Sequence, residues 1–260
     1  TDMAIGNVVG SNIVNMLLIL GIAAIIRPIA VSVKTIARDT TMVVGATALF
    51  VAIGVTCGFN LWRGALLVFC LLGYLYLTYK AEKVENNEEA LHAREAEYIG
   101  GVPGHTWVAF VFLVGGLAGI IVGAKLLVDG GLGIAEAFNV SRTVVGLTWI
   151  AVGTSLPELA IVIVASLRGH SDIALGNVLG SNIFNLLGIT GGVAMITPLD
   201  MPNEVMNFDI WALLGVTILL LPLMITENKI SRMDGRLLVG LYIVYLAAQL
   251  EPVRQLFAQA

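Results

Sequence analysis

Residues 152–158, with the sequence VGTSLPE, decide the fold because they place a carboxylate and a proline inside a long apolar segment. This segment runs from about residue 143 to residue 167, and Glu158 is its only ionisable side chain. A carboxylate at the centre of a membrane helix costs about 2.5 kcal/mol or more, so such a residue usually has a function. Pro157 has no N–H and leaves the carbonyl of Gly153 without its helical partner. In a bilayer, that carbonyl must face protein, water or an ion.

The polar atoms of this turn form a ligand set for a hard cation. Thr154 and Ser155 precede Glu158 by four and three residues, so we expect the three side chains to converge on one side of the helix. A carboxylate, two hydroxyls and bare carbonyls suit Ca²⁺ or Na⁺. The alternative is an ordinary proline kink in which Ser and Thr only satisfy the backbone. The buried glutamate in the same turn favours the ion site.

The composition is typical of a protein with several membrane-spanning helices. Of the 260 residues, 58% are hydrophobic and only 12% are charged, against about 25% charged residues in a soluble domain. The basic residues form no patch, which argues against a nucleic-acid partner. Eight segments are long and apolar enough to span a bilayer. They lie at about 3–26, 41–58, 61–79, 106–128, 143–167, 172–196, 207–226 and 235–250.

A charged stretch at residues 80–104 separates two groups of these segments, and we interpret it as a solvated helical linker. The chain then has three parts: residues 1–79, the linker, and residues 105–260. If the linker is cytoplasmic, the other loops alternate from it across the membrane. Four of the 14 Lys and Arg residues then lie outside and the remaining ten inside, which is the usual bias of membrane proteins.

The chain contains two copies of one sequence unit. Residues 2–21 read DMAIGNVVGSNIVNMLLILG and residues 172–191 read DIALGNVLGSNIFNLLGITG, with 13 of 20 positions identical at an offset of 170. The alternation of loops places the two copies in opposite senses. Inverted repeats with helices interrupted by Gly or Pro are typical of secondary transporters, whose ion site lies near the midplane between the repeats.

Each copy carries a stripe of polar side chains at intervals of four residues, which is one face of a helix. The two stripes are Asn7, Ser11 and Asn15, and Asn177, Ser181 and Asn185. Glycine pairs at 6 and 10 and at 176 and 180 have the GxxxG spacing that allows close approach of helices. The alternative is that the Asn and Ser side chains only hold helices together. Two complete stripes favour ion ligation.

The sequence GTSLPE followed by DIALGNVLGSNIFN resembles the alpha-repeat signature of the cation/calcium exchanger superfamily, in particular the bacterial sodium/calcium antiporters. The resemblance covers essentially the whole chain. It implies an all-α polytopic protein of the bacterial inner membrane, built of ten helices in two inverted five-helix repeats. About eight of the ten would lie in this chain, with the first repeat truncated. It implies no cofactor and no obligate protein partner, only the lipid bilayer and the transported Na⁺ and Ca²⁺.

The resemblance also implies the ion ligands, which are acidic or amide side chains with flanking hydroxyls. Carried over by motif, they are the carbonyl of Ala151 with Thr154, Ser155, Glu158, Ser181 and Asn185 in the second repeat, and Ser11 and Asn15 in the first. Many members of the superfamily have aspartate where this chain has Asn185, so the site here has one negative charge fewer. The GTSLPE turn of the first repeat is absent, and at the offset of 170 it would precede Thr1.

We expect a secondary active antiporter in which Na⁺ moving down its gradient drives Ca²⁺ the other way. Glu158 would bind Ca²⁺ through both oxygens, and the hydroxyls and carbonyls would mainly bind Na⁺. The alternatives within transporters are H⁺/Ca²⁺ exchange with titration of Glu158 and K⁺-dependent Na⁺/Ca²⁺ exchange. A passive channel is disfavoured because the buried charge has no open polar pore around it. An intramembrane hydrolase using Ser155 is disfavoured because no base lies at its depth, so we do not expect an enzyme.

The number of membrane segments before the motif helix differs between the two copies, which predicts that the chain is part of a larger transporter. Two segments precede the second copy of the motif, and their counterparts would lie upstream of Thr1. Without them, we expect Ser11 and Asn15 to face lipid or solvent. We also expect residues 1–260 alone not to exchange Na⁺ for Ca²⁺, and exchange to return when an upstream segment with a GTSLPE-like turn is supplied.

Overall fold

The structure, a computed structural model, describes residues 2–33, 36–84, 106–137 and 151–249, and these residues are mostly helical. The first motif helix, residues 2–26, consists of α1 (Asp2–Ile13), a π-helical turn (Val14–Ile19) and α2 (Leu20–Ile26). It is followed by β1 (Ile29–Ala30), a second π-helical turn (Ile36–Thr40), α3 (Thr41–Thr56), α4 (Leu61–Val84) and α5 (Thr106–Ala137).

The second half repeats this order of elements after a broken helix, residues 151–168, which is formed by α6 (Ala151–Thr154) and α7 (Leu156–Arg168). The second motif helix, residues 171–196, consists of α8 (Ser171–Ile183), a π-helical turn (Phe184–Ile189) and α9 (Thr190–Ile196). After it come a π-helical turn (Val205–Asp209), α10 (Ile210–Ile225), a 3₁₀ turn (Thr226–Asn228), β2 (Lys229–Ile230) and α11 (Arg232–Ala248).

Helices cover the eight predicted segments wherever the structure describes them, while residues 143–150 lie outside the described residues. Five helices of the described part meet the length and hydropathy of a membrane span: Ala4–Ile26, Arg38–Thr56, Leu61–Ala81, Ser171–Ile196 and Val205–Ile225. The total number of spanning helices remains a prediction.

Three helices extend beyond their predicted bounds, two at the C-terminal end and one at the N-terminal end, because a helix does not have to stop at the membrane surface. α4 continues to Val84, past the predicted end of the first part at residue 79, and the rest of the linker lies outside the described residues. α5 continues to Ala137 instead of ending near residue 128, and no proline interrupts it. α11 begins at Arg232, ahead of the predicted residue 235, because Ser231 and Asp234 form a reciprocal N-terminal cap.

Short backbone pairings group the loops into two sets. Ile29 of β1 pairs with Ile230 of β2, which joins the loop after the first motif helix to the loop before α11. Phe59 pairs with Leu199, which joins the loop before α4 to the loop after the second motif helix. The two pairings are equivalent contacts of the two copies, since residue 199 follows residue 29 by 170 positions and residue 230 follows residue 59 by 171, which is the same offset with one inserted residue. Their grouping agrees with the loop alternation predicted from the basic residues.

Glycines allow two pairs of helices to touch backbone to backbone, again at equivalent positions of the two copies. A Cβ atom on Gly64 of α4 would lie 2.6 Å from the carbonyl oxygen of Gly191 in α9. A Cβ atom on Gly235 of α11 would lie 2.7 Å from the carbonyl oxygen of Gly21 in α2. Both distances are too short for a real side chain, so α4 packs directly on α9, and α11 on α2.

The predicted close approach at the GxxxG pair of the second copy is wrong. A Cβ atom on Gly176 or Gly180 would meet no atom of the described residues within 4 Å. The second motif helix crosses α4 at a different position from the one that the GxxxG pair predicts. The contact lies at Gly191, about three turns further along the second motif helix.

Two buried carboxylates join neighbouring helices. The hydroxyl of Tyr74 donates to Asp39 Oδ1 at 3.1 Å, and the hydroxyl of Tyr245 donates to Asp209 Oδ1 at 2.9 Å. Asp39 also accepts from Arg38, whose Nε lies 2.7 Å from Oδ1, and Asp209 also accepts from the amide of Gln249. These bonds tie α4 and α11 to the π-helical turns in front of α3 and α10.

Candidate functional site

The predicted break in the helix around Pro157 is present. α6 ends at Thr154 and α7 begins at Leu156, while Ser155 between them has φ −92° and ψ 4°, outside the helical region. Pro157 lies in the first turn of α7, where its missing N–H costs nothing. Glu158 therefore lies at the N-terminus of a new helix, where the backbone dipole favours a negative charge.

Thr154 connects the broken helix to the first motif helix. Its Oγ1 lies 3.2 Å from Oγ of Ser11, 3.1 Å from Oδ1 of Asn7 and 3.1 Å from the carbonyl oxygen of Ala151. Thr154 has one hydroxyl proton and can donate it to only one of these oxygens at a time. When it donates to Asn7 or to the Ala151 carbonyl, the hydroxyl of Ser11 can donate to Thr154 Oγ1. Three of the predicted ligands, Ser11, Thr154 and the Ala151 carbonyl, are thus in direct contact.

Asn15 contacts the second motif helix through Asn182. Its Nδ2 donates to Asn182 Oδ1 at 3.1 Å, and both residues are 0% exposed. Ser11 is also buried, at 4% exposure. The expectation that Ser11 and Asn15 face lipid or solvent is therefore wrong. The broken helix and the second motif helix both pack against the first motif helix and cover its polar stripe.

Glu158 supplies the one acidic side chain of the predicted site, and it is half-buried. Its Oε2 is buried and has no hydrogen-bond partner among the described residues. The side-chain oxygens of Asn12, Asn15 and Asn177 are in the same condition. Buried acceptors without donors cost free energy. A bound cation would satisfy such oxygens.

The remaining predicted ligands occupy the same packed region. Ser155 is 2% exposed, and Ser181 and Asn185 are half-buried on the second motif helix, which packs against α7. The carbonyl of Ala151 is already engaged, because it accepts the N–H of Ser155 at 3.1 Å. Within the described residues, no hydrogen bond joins Glu158 to Ser181 or Asn185. Convergence of the full set on one ion therefore stays a prediction.

Widened helical turns hold Asn15 and Asn185. The N–H of Leu20 donates to the carbonyl of Asn15, and the N–H of Thr190 donates to that of Asn185, each across five residues. The hydroxyl of Thr190 reaches the same Asn185 carbonyl at 3.3 Å. Single π-helical turns occur frequently at functional sites. The hydropathy pattern of the sequence contains no signal for them.

The spacing of the polar stripe missed Asn12 and Asn182, which are both fully buried. They follow Ser11 and Ser181 directly and therefore lie off the stripe. The available signal was the tripeptide GSN, which is identical in the two copies.

The described residues contain no group of three or more His, Cys, Asp or Glu side chains arranged to hold a metal. The candidate site therefore combines one carboxylate with neutral oxygens.

The family model described as sodium/calcium exchanger protein matches residues 1–80 and 108–251 of the chain. The inner membrane protein YrbG of Escherichia coli (strain K12) is 36% identical over 261 residues, which cover 95% of this chain and 76% of that protein. The sodium/calcium exchanger MaX1 of Methanosarcina acetivorans is 30% identical over 280 residues, which cover 95% of this chain and 79% of that protein.

A solved structure of the sodium-calcium exchanger NCX_Mj, soaked with 10 mM Na⁺ and 10 mM Sr²⁺, matches with a TM-score of 0.74 at 33% identity. The match covers 95% of this chain and 76% of the solved one. It confirms the helical membrane fold expected from the motifs. MaX1 and NCX_Mj are sodium/calcium exchangers by name, so they are transporters and not enzymes, and the ions that they exchange are substrates rather than cofactors. The chain therefore belongs to the sodium/calcium exchanger family of the cation/calcium exchanger superfamily and is an integral membrane antiporter for cations.

Proposed function

We propose that the protein exchanges Na⁺ for Ca²⁺ at a mid-membrane site to which residues 1–260 contribute one charged ligand, Glu158. The observation that carries the proposal is the state of this carboxylate. It lies in the first turn after a helix break, and its buried Oε2 has no partner among the described residues. A carboxylate at membrane depth that lacks a partner costs several kcal/mol. A bound cation removes most of that cost.

In the proposed site, the charged carboxylate mainly binds Ca²⁺ and the neutral oxygens mainly bind Na⁺. A divalent cation gains most from the carboxylate, which can bind it through both oxygens. Na⁺ carries half that charge and suits neutral oxygens, here the hydroxyls of Ser11, Thr154 and Ser155 and the carbonyl of Ala151. Side-chain oxygens of Asn15, Ser181 and Asn185 complete the proposed set. Two of these hydroxyls are in contact, since Oγ1 of Thr154 lies 3.2 Å from Oγ of Ser11.

The buried carboxylate also explains why the protein exchanges ions instead of leaking them. An empty site leaves Glu158 charged and unpaired in a low-dielectric region, which is unfavourable. Movement of the empty site across the membrane is then rare, and one ion leaves only when another takes its place. Coupling of Na⁺ and Ca²⁺ follows from competition for the same oxygens.

Alternating access requires that part of the helix bundle move relative to the rest, and α5 is our candidate for a moving helix. It packs on both pieces of the broken helix, α6 and α7. Its described side chains include large apolar groups that are exposed, such as Trp107, Phe112 and Leu126. A lipid-facing helix attached mainly to the ion-binding segment can slide with little loss of packing. The glycine contact between α4 and α9, in contrast, holds the core rigid.

Two close alternatives differ only in the driving ion, namely H⁺/Ca²⁺ exchange and K⁺-dependent Na⁺/Ca²⁺ exchange. Uptake of Ca²⁺ into vesicles that contain the purified full-length protein separates them. We expect an outward Na⁺ gradient to drive uptake at constant pH and without K⁺. Uptake driven only by a pH gradient, or only with K⁺ present, would contradict the proposal.

We also propose that the protein resides in a bacterial inner membrane, with the linker in the cytoplasm. The excess of Lys and Arg on the linker side supports this orientation. The similarity to the inner membrane protein YrbG supports the location. In this orientation the two copies of the repeat have inverted topology, and the site lies between them.

A further inference from the structure

We propose that Asn182 is a positioning residue of the ion site, which holds the side-chain amide of Asn15 so that the oxygen of Asn15 faces the cation. The inference rests on the proposed function, because it assigns a role within that site. Neither the polar stripe nor the motif resemblance pointed to Asn182. It lies in α8, on the second motif helix, and is 0% exposed.

The hydrogen bond between the two amides fixes which end of Asn15 is available. Nδ2 of Asn15 donates to Oδ1 of Asn182 at 3.1 Å, and both side chains are fully buried. The NH₂ group and the oxygen of an amide are bonded to the same carbon and diverge by about 120° in one plane. With its NH₂ directed at Asn182, Asn15 presents its oxygen in a different direction. This oxygen is buried and has no partner in the described part of the chain.

The position of Asn15 directs this oxygen towards the other ligands. Asn15 follows Ser11 by four residues on the first motif helix, so the two side chains share a face. Side chains on a helix lean towards its N-terminus, which brings Asn15 over the turn that carries Ser11. Ser11 contacts Thr154, which lies four residues before Glu158 on the broken helix. The unpaired oxygen of Asn15 thus lies on the face where the broken helix packs.

The polarity of the bond matters because the two ends of the amide have opposite effects on a cation. Oxygen is a ligand for Na⁺ and Ca²⁺, whereas an NH₂ group presents positive hydrogens and repels them. In the structure, Asn182 presents its oxygen to Asn15, which gives the first orientation, and the Nδ2 of Asn182 has no partner among the described residues. The equivalent residue of the first copy, Asn12, does something else with its amide. Its Nδ2 donates to the carbonyl of Val8 in its own helix at 2.7 Å.

Equilibrium binding of Ca²⁺ to the purified full-length protein in detergent tests the inference. Asn182→Leu keeps the size of the side chain and removes the acceptor. We expect the dissociation constant for Ca²⁺ to rise about fivefold to tenfold, the effect of one hydrogen bond of ordinary strength. The matched control is Thr47→Val, which removes a polar group of similar size at an equally buried position in α3, outside the proposed site. We expect it to alter the dissociation constant by less than about twofold.

A double-mutant cycle separates positioning from a purely structural role. If Asn182 acts through Asn15, Asn182→Leu has no further effect on Ca²⁺ binding once Asn15→Leu is present. Additive losses from the two substitutions would overturn the inference. So would an equal loss of binding in Thr47→Val, because that would indicate general damage to the packed helices.

Asn182→Asp provides a second variant that does not depend on tolerance of leucine in the core. It retains an acceptor oxygen for the NH₂ of Asn15, so we expect Ca²⁺ to bind at least as tightly as in the native protein. Binding as weak as in Asn182→Leu would overturn the inference. If the native protein binds Ca²⁺ and Asn182→Leu binds it equally well, only the positioning role fails. If the native protein does not bind Ca²⁺, the proposed function fails and the positioning role with it.

Discussion

Replacement of Tyr245 by phenylalanine removes a single hydroxyl and tests how the buried carboxylates hold the helices together. Asp209 is 0% exposed, and Tyr245 donates to its Oδ1 at 2.9 Å. A hydrogen bond to a charged group contributes about 1.5–3 kcal/mol. Water cannot take the place of the lost hydroxyl at a fully buried site. We therefore predict that Tyr245→Phe lowers the free energy of unfolding by about 2 kcal/mol.

The equivalent substitution in the first copy, Tyr74→Phe, is the matched control. Tyr74 donates to Asp39 at 3.1 Å, and Asp39 also accepts two bonds from the charged guanidinium of Arg38, at 2.7 and 3.2 Å, whereas Asp209 accepts from the neutral amide of Gln249. Asp39 is also 7% exposed, so some hydration remains after the hydroxyl is lost. We expect this variant to lose about 1 kcal/mol or less.

Thermal unfolding of the two variants in the same detergent provides the measurement. In a chain of this size, 1 kcal/mol corresponds to about 2–4 °C in Tm. The expected decrease is then about 4–8 °C for Tyr245→Phe and about 2–4 °C or less for Tyr74→Phe. A loss in Tyr74→Phe that equals or exceeds the loss in Tyr245→Phe would refute the reasoning, because the guanidinium of Arg38 would then be no substitute for the phenol.

Two further predictions concern topology and charge. A cysteine introduced at Glu88 should react with a membrane-impermeant reagent only from the cytoplasm and one at Asn203 only from outside, and the reverse pattern would contradict the proposed orientation. Asn185→Asp adds a second carboxylate to the site and should increase the positive charge bound per transport cycle, measured as current against Ca²⁺ flux in voltage-clamped vesicles. An unchanged ratio of charge to flux would show that residue 185 does not face the transported ions.

The sequence was most informative where one residue type leaves few structural choices. Pro157 cannot donate a hydrogen bond, which disfavours an unbroken helix there, and the break is present at Ser155. Long apolar segments have few alternatives to helices in a membrane, and helices cover them wherever the structure describes the chain. The family resemblance rests on long motifs that occur twice, and the comparison with known exchangers confirms it.

Contacts between segments distant in the sequence were not predictable in the same way. Asp39 and Asp209, and the two tyrosines that bond to them, were visible as equivalent positions of the repeat, but no spacing rule shows that each pair is in contact. The burial of Asn182 depends on the packing of the first motif helix against the second. Close approach at Gly191 likewise depends on where two helices cross, which the GxxxG pattern places about three turns too early.

Transport of Ca²⁺ by Glu158→Gln tests the central claim most directly, because this change keeps the size of the side chain and removes the charged ligand that residues 1–260 contribute to the proposed site. The full-length protein is reconstituted in Na⁺-loaded vesicles, and Ca²⁺ uptake is followed after dilution into Na⁺-free medium. Glu204→Gln, the same change at an exposed position between α9 and α10, serves as the control. We predict uptake at background level in Glu158→Gln and native uptake in Glu204→Gln, with both variants inserted and folded. Near-native, Na⁺-driven uptake in Glu158→Gln would contradict the claim that Glu158 binds the transported Ca²⁺.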